Sequence, residues 1–304
     1  MINVVKQTPS LTEAAWTVEE VVAPPMAWHW RLRQTIIRHR GIPVGGIVLV
    51  AIVMVALAAP LLTTMSPTAL NPAGRLAPPN GEHLFGTDNF GRDVFSRTLW
   101  GARLSLEIGF LVSALTVLMG TAVGLLAGYF RWLDTPIMRL MDSMMAFPGI
   151  VLAIGLMAAL GPSKYNVITA LTVVYTPRMA RVVRSIVLTI CEMQFVEAAR
   201  AQGTSNLRLL LRHILPNCLS PLIVQGTFVF AEAVLGEASL SFLGAGTPPY
   251  IPSWGNMLGE ARAYLRDAPW TMLFPGLSLT LTVLALNLLG DGIRDLLDPR
   301  LRKV

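Results

Sequence analysis

Charge is scarce in this sequence. Asp, Glu, Lys and Arg make up 14% of its 304 residues, where about 25% is usual for a soluble domain. The formal charge of +6 is spread thinly between apolar runs. A nucleic-acid-binding chain would gather its Lys and Arg into a dense face, so no nucleic-acid partner is expected. Cysteine is rarer still: Cys191 and Cys218 stand at no metal or redox spacing and read as packing thiols. The phosphate-cradling pattern G-x-x-x-x-G-K-[ST] is absent. Its nearest approach, Gly161-Pro162-Ser163-Lys164, is a short turn, so the chain is not expected to hydrolyse ATP alone. His29, His39, His83 and His213 are scattered over polar segments with no nucleophile or metal cluster beside them, which leaves no catalytic or metal residue to name. The first apolar run begins only near Ile42, behind a long polar segment without a small-residue cleavage site, so a removable signal peptide is not expected.

What is abundant is apolar surface. Hydrophobic residues reach 53%, and the mean hydropathy is +0.57. A spanning helix needs about 20 mostly apolar residues. Six stretches meet or approach that length: roughly 42–64, 105–130, 141–161, 166–190, 218–243 and 270–291. The third and fourth are separated only by a hairpin at Gly161-Pro162, and the fourth contains Pro177 and three arginines. With the N-terminus inside, 17 of the 24 Lys and Arg fall in inner segments and 7 in outer ones, which predicts both termini in the cytoplasm. Gly120, Gly124 and Gly128 recur every fourth residue and predict a seam where a neighbouring backbone approaches closely, inside the bundle rather than as a dimer contact. Pro148, Pro177 and Pro275 predict kinks. A kinked polytopic bundle points to a transporter. An ion-coupled carrier would repeat its hydropathy pattern in two halves, and no such repeat is found.

The stretch EAARAQGTSNLRLLLRHILP, 197–216, is polar and basic within this apolar chain. An Ala-rich helix is predicted up to Gln202, ended by Gly203 in the left-handed conformation. Thr204, Ser205 or Asn206 can cap a second helix, whose Leu207, Leu210, Leu211 and Ile214 form an apolar stripe and which Pro216 closes. Two readings fit the residues. One is an interfacial helix that anchors a loop. The other is a docking helix that shows a partner Glu197, favoured by the helix dipole, and the small face of Ala198, Ala199 and Ala201.

Glu197-Ala198-Ala199, three residues, Gly203, then nine residues before His213-Ile214-Leu215-Pro216 resembles the cytoplasmic signature loop of permease subunits of bacterial ATP-binding-cassette importers. The general form of that loop has Ile where this chain has His213, and the peptide-transporter group is similar to this sequence in carrying His. His83-Leu84-Phe85-Gly86-Thr87-Asp88, Gly91-Arg92-Asp93, Ser96-Arg97, Gly101-Ala102-Arg103-Leu104-Ser105-Leu106 and Leu235 to Gly244 resemble the dipeptide/oligopeptide/nickel group, in particular its second, C-type subunit. The first forty residues carry no matching motif.

The resemblance implies an all-α membrane protein of the type I importer permease fold with six transmembrane helices. Its parts would be a cytoplasmic segment 1–40, a first span 41–65, an extracytoplasmic segment 66–100, a five-helix importer core 101–291 and a cytoplasmic tail 292–304. Glu197, Ala198, Ala199 and Gly203, with Pro216 closing the loop, would couple the chain to an ATPase. The implied partners are a second permease subunit in a heterodimer, two ATP-binding subunits that carry ATP and Mg, an extracytoplasmic solute-binding protein and the lipid bilayer of the bacterial inner membrane. The chain itself would bind no cofactor. The cargo would be di- or oligopeptides, with nickel or another small solute as the alternative.

Ionisable residues inside spans are functional candidates by default. Glu232 and Glu237 stand five apart in the fifth stretch, either on the substrate path or in hydrogen bonds inside the bundle. Asp142, Asp291 and Asp295 fall at inner helix ends, where pairing with Arg or water is expected. Segment 81–104 reads as a solvated loop, with calcium binding by Asp88 and Asp93 disfavoured because the EF-hand spacing is absent. Trp100, Trp132, Trp254 and Trp270 read as interfacial belt anchors.

Overall fold

The computed structural model describes residues 41–297. The polar 1–40 segment and the tail beyond 297 lie outside them. No strand occurs among the described residues; Thr87 and Asp93 form an isolated bridge. The all-helical expectation holds, with differences that matter for the site.

Helix α1 (Gly41–Leu57) and the single turn α2 (Ala59–Leu62) precede an irregular segment. Helix α3 (Val94–Tyr129) is 36 residues long, about 54 Å at 1.5 Å per residue. Asp93 caps it by accepting the Ser96 N–H at 2.7 Å. Two helices follow, α4 (Arg131–Met145) and α5 (Gly149–Leu160), then α6 (Lys164–Cys191) and the short α7 (Gln194–Ala201). Next, α8 (Asn206–Leu209), a π-helical turn Leu210–Ile214 and α9 (Leu215–Phe242) run on as one helix, Asn206–Phe242. The chain ends in α10 (Trp254–Ala261) and α11 (Trp270–Leu297).

By length and apolar composition three helices can cross a membrane: Val94–Tyr129, Asn206–Phe242 and Trp270–Leu297. The expected third span is not one straight helix. Arg131–Met145 and Gly149–Leu160 meet at 91°, because Pro148 pushes Phe147 out of helical backbone and cannot donate to the preceding turn; together they make a fourth candidate. Helix α1 has 17 residues, about 25 Å, short of about 30 Å of hydrocarbon. Helix α6 is long enough but carries Arg178, Arg181 and Arg184.

The glycine seam packs α3 on α6. A methyl at Gly124 would stand 2.6 Å from Val183 Cβ and 2.7 Å from the Ala180 carbonyl, and one at Gly128 would stand 2.8 Å from Val187 Cβ. At Gly120 it would overlap Met179. These contacts lie within the chain, as the spacing predicts. Helix α1 approaches α11 in the same way, at Gly45 against the Ala285 carbonyl and at Gly292 against Ile42. Away from these seams the helices show apolar side chains outward, among them Ile47, Phe110, Leu118 and Leu273. Cys191 and Cys218 are free thiols and pack in one apolar cluster with Val187, Val196, Leu209 and Ile214.

Candidate functional site

The two ends of α3 mark two ends of the bundle. At its C-terminal end, the Tyr129 hydroxyl donates to Asn206 Oδ1 at 2.8 Å and the Arg200 guanidinium stacks over the Tyr129 ring at 5.4 Å. The 194–216 segment is thereby tied to the bundle. Helix α7 buries Val196 and Ala199 and exposes Glu197, Ala198 and Ala201. The expected three-alanine outer face is therefore corrected: Ala199 follows Val196 by three residues, on the side that Val196 roots in the core, so only two of the alanines face outward.

Gly203 has φ +77°. Its N–H bonds to the Arg200 carbonyl at 2.9 Å and the Thr204 N–H to the Ala199 carbonyl at 3.1 Å, the paired bonds of a Schellman ending. A Cβ at 203 would meet nothing within 4 Å, so backbone conformation, not space, requires glycine there.

Pro216 does not end the second helix. It lies in the first turn of α9, directly after the π turn, in which the Leu215 N–H reaches back to the Leu210 carbonyl. The wide turn makes room for a ring that would otherwise strike the carbonyl four residues earlier, and no donor is missed. The extra residue also rotates the apolar stripe. Leu210 and Ile214 are buried as expected, Leu207 and Leu211 are exposed, and Leu209 takes the inner place.

The two candidate glutamates of α9 part company. Glu237 has no exposed surface and accepts from the hydroxyls of Ser105, at 3.0 Å, and Ser241, at 2.8 Å. Its carboxylate is a buried link between α3 and α9 and does not reach a groove, which corrects its reading as a path residue. Glu232 lines an open groove of about 420 Å³ between α5, α6 and α9, with Ile150, Val174, Tyr175, Leu235 and Ser239. It pairs with Arg178 at 2.7 Å, and the Tyr175 hydroxyl donates to its backbone carbonyl at 3.1 Å. The other α6 arginines also have acids: Arg181 meets Asp142, and Arg184 meets Asp134 with both Nε and Nη2. Asp142 pairs with an arginine as its place at a helix end predicts, whereas the sequence carries no signal for Asp134 as the partner of Arg184.

At the opposite end, the expected solvated loop is a folded cap. Asp88, Arg92, Asp93 and Arg97 are all buried. Asp88 accepts from the backbone of Phe90 and Arg92 and from Arg92 Nε at 2.6 Å. Arg97 joins Asp88 at 3.4 Å and Glu260 at 3.2 Å, and Arg92 also reaches Glu260. His83 holds Asp93 at 2.9 Å. Both aspartates are thus engaged by protein groups. Glu260, 163 residues from Arg97, is the member that sequence reasoning missed. Burial raises its carboxyl above the ordinary glutamate range, against the downward pull of Arg97 and Arg92. At Gly91 (φ +72°) a side chain would overlap the Asn71 carbonyl.

The indoles of Trp270 and Trp100 donate to Thr87 and Thr63. Trp254 is fully buried and bonded to the Thr98 carbonyl. These three therefore hold the cap, and Trp132, 75% exposed, alone keeps the exposure expected of a belt residue.

Residues 120–303 match the model of the family described as "Binding-protein-dependent transport system inner membrane component". The chain is 52% identical, over 88% of its length and 90% of the relative's, to a Brucella abortus protein named for a peptide transport system permease. It is 48% identical, over 85% of its length and 86% of the relative's, to the Dipeptide transport system permease protein DppC of Alkalihalophilus pseudofirmus. In fold it is similar to a chain of the MetNI methionine ABC transporter in inward-facing form, with a TM-score of 0.56 and 21% identity over 65% of this chain and 94% of that one.

Proposed function

Because the chain belongs to the family of binding-protein-dependent transport system inner membrane components, we propose that it is the membrane-spanning permease of an ATP-driven importer of di- and oligopeptides, driven through the 194–216 segment. The observation that carries the coupling role is α7 itself. Glu197 and Ala198 face outward on a helix that Val196 and Ala199 root in the core and that Gly203 ends sharply.

In this reading the protein crosses the bacterial inner membrane six times, by α1 with α2, α3, the bent α4–α5 pair, α6, α9 and α11, with both termini cytoplasmic. A second permease completes the path, two ATPase subunits bind ATP and Mg, and an extracytoplasmic binding protein delivers the peptide to the cap end. A guanidinium or carboxylate facing acyl chains at mid-span costs about 2.5–3.5 kcal/mol. Arg178, Arg181, Asp142 and Glu232 all keep exposed side chains, so the face that bears them is covered by the partner permease or by water in the path.

ATPase closure would displace α7. The cluster joining Val196 and Ala199 to Val187, Ile190, Leu209 and Ile214 makes that motion common to α6 and α9, because a packed core moves as a body. The test is peptide-stimulated ATP hydrolysis by the reconstituted complex, wild type against Glu197→Lys and Gly203→Pro, with membrane insertion checked for each. Loss of stimulation with normal insertion supports docking. Unchanged stimulation reduces the segment to an interfacial anchor.

A further inference from the structure

We infer that Arg178 and Glu232 bind the two ends of a transported dipeptide, Glu232 taking the terminal ammonium and Arg178 the terminal carboxylate. This rests on the peptide-importer reading above and adds to it the residues that meet the cargo and the part of the cargo they recognise.

The depth of the pair is the first reason. Arg178 lies 14 residues into α6 from Lys164, and Glu232 lies 10 residues from the Phe242 end of α9; at 1.5 Å per residue these are about 21 and 15 Å. Charges at that depth are normally enclosed, as Glu237 is. The side chains of Arg178 and Glu232 are instead 58% and 38% exposed. Ionised groups that stay open within a span mark a solute path rather than a lipid face.

The second reason is how loosely the pair is held. Asp134 grips Arg184 at two atoms, as a brace does. Arg178 meets Glu232 through a single contact, Nη1 to Oε1, which a competing pair of charges can displace. A zwitterionic peptide exchanges that one ion pair for two charge-assisted contacts. The ends of an extended dipeptide lie about 7 Å apart, so the two side chains must part on binding, and the exposed guanidinium has the freedom to swing.

The groove supplies the third reason. Its volume of about 420 Å³ falls in the range of about 300–1,000 Å³ typical of small-ligand sites. Ile150, Val174 and Leu235 give it apolar walls, and Glu232 is its ionised lining residue. Such walls accept varied side chains while the pair reads only the termini, as a carrier of many peptides requires.

The test is uptake into proteoliposomes that hold the complete importer with its binding protein. Dialanine, N-acetyl-dialanine and dialanine amide are compared at equal binding-protein occupancy. Wild type should favour dialanine by about tenfold or more over each blocked form, the scale of one lost charged hydrogen bond. Glu232→Gln should lose only the discrimination against the N-acetyl form, and Arg178→Gln only that against the amide. The exchanged double variant Arg178→Glu with Glu232→Arg keeps an ion pair and should not recover dialanine uptake. Retained discrimination in both single variants, or full recovery in the exchanged variant, overturns the inference while leaving the peptide-importer reading intact. A wild-type complex that takes up no peptide at all overturns both.

Discussion

Replacing Gly124 by alanine tests the packing on which the rest of the bundle depends. The added methyl would lie 2.6 Å from Val183 Cβ, 2.9 Å from Val183 Cγ1 and 2.7 Å from the Ala180 carbonyl. Carbon atoms prefer about 3.5–4.0 Å, so α6 must retreat by about 1 Å. A rotamer change at Val183 moves Cγ1 but neither its Cβ nor the carbonyl, and Gly120 and Gly128 lock α6 on either side. The cost is therefore that of overpacking without local relief, about 1–3 kcal/mol. For a folded unit of this size that lowers the melting midpoint by several degrees, at about 2–4 °C per kcal/mol. Gly155→Ala is the internal control. It lies within α5 with nothing inside 4 Å of the new methyl, and alanine there gains about 0.5–1 kcal/mol of helix propensity. The assay is thermal unfolding of the purified protein in detergent, followed by circular dichroism. A Gly124→Ala midpoint equal to wild type, or raised like that of Gly155→Ala, would refute the seam as an internal contact.

Three other outcomes are expected. Ser105→Ala removes one of the hydroxyl donors to the buried Glu237 carboxylate and should cost about 1–3 kcal/mol in the same unfolding assay. Gly203→Ala forces φ +77° on a residue with a Cβ, so hydrogen exchange at the Gly203 and Thr204 amides should quicken, by about fivefold or more for a penalty of about 1 kcal/mol; Gly203→Asn should be milder. For Glu260, burial sets the folded carboxyl above its ordinary value of 4.5. Its contribution to stability is then full below that value and lost as pH rises through the raised folded one. Glu260→Gln should flatten that slope in melts taken across the window, whereas Glu260→Lys, which sets a third cation against Arg92 and Arg97, should loosen the cap at every pH, read as faster exchange in residues 71–93.

Local chemistry was legible in the sequence and partners were not. The Gly120-Gly124-Gly128 spacing and the Gly203 ending need only short-range rules, and both recur in the structure. The cores of the six apolar stretches correspond to helices for the same reason. The π turn escaped because a period of 3.6 was extended through Leu207–Ile214, and one added residue swings every later side chain by about 100°. That single shift turned Leu211 outward and let Pro216 sit inside a helix. The cap escaped for a different reason. An alternating run of Asp and Arg reads as solvated until Glu260 arrives from 163 residues away, and no periodicity announces that meeting. Glu232 and Glu237 look alike in sequence, yet one faces a groove and the other Ser105, because five residues turn a helix by more than a full revolution.

The arginine ladder of α6 bears on how this protein is made. In the proposed six-span reading, α6 would enter lipid with Arg178, Arg181 and Arg184 in its second half, each opposing partition by about 2.5–3.5 kcal/mol near the centre of a span. Two of the acids that neutralise them, Asp134 and Asp142, belong to a helix already synthesised, while Glu232 is translated 54 residues after Arg178. On that reading, integration of α6 would be a cooperative event, begun against its predecessor and finished only when α9 emerges. Until then, Arg178 would be an unmet charge that favours keeping the nascent segment close to the translocon.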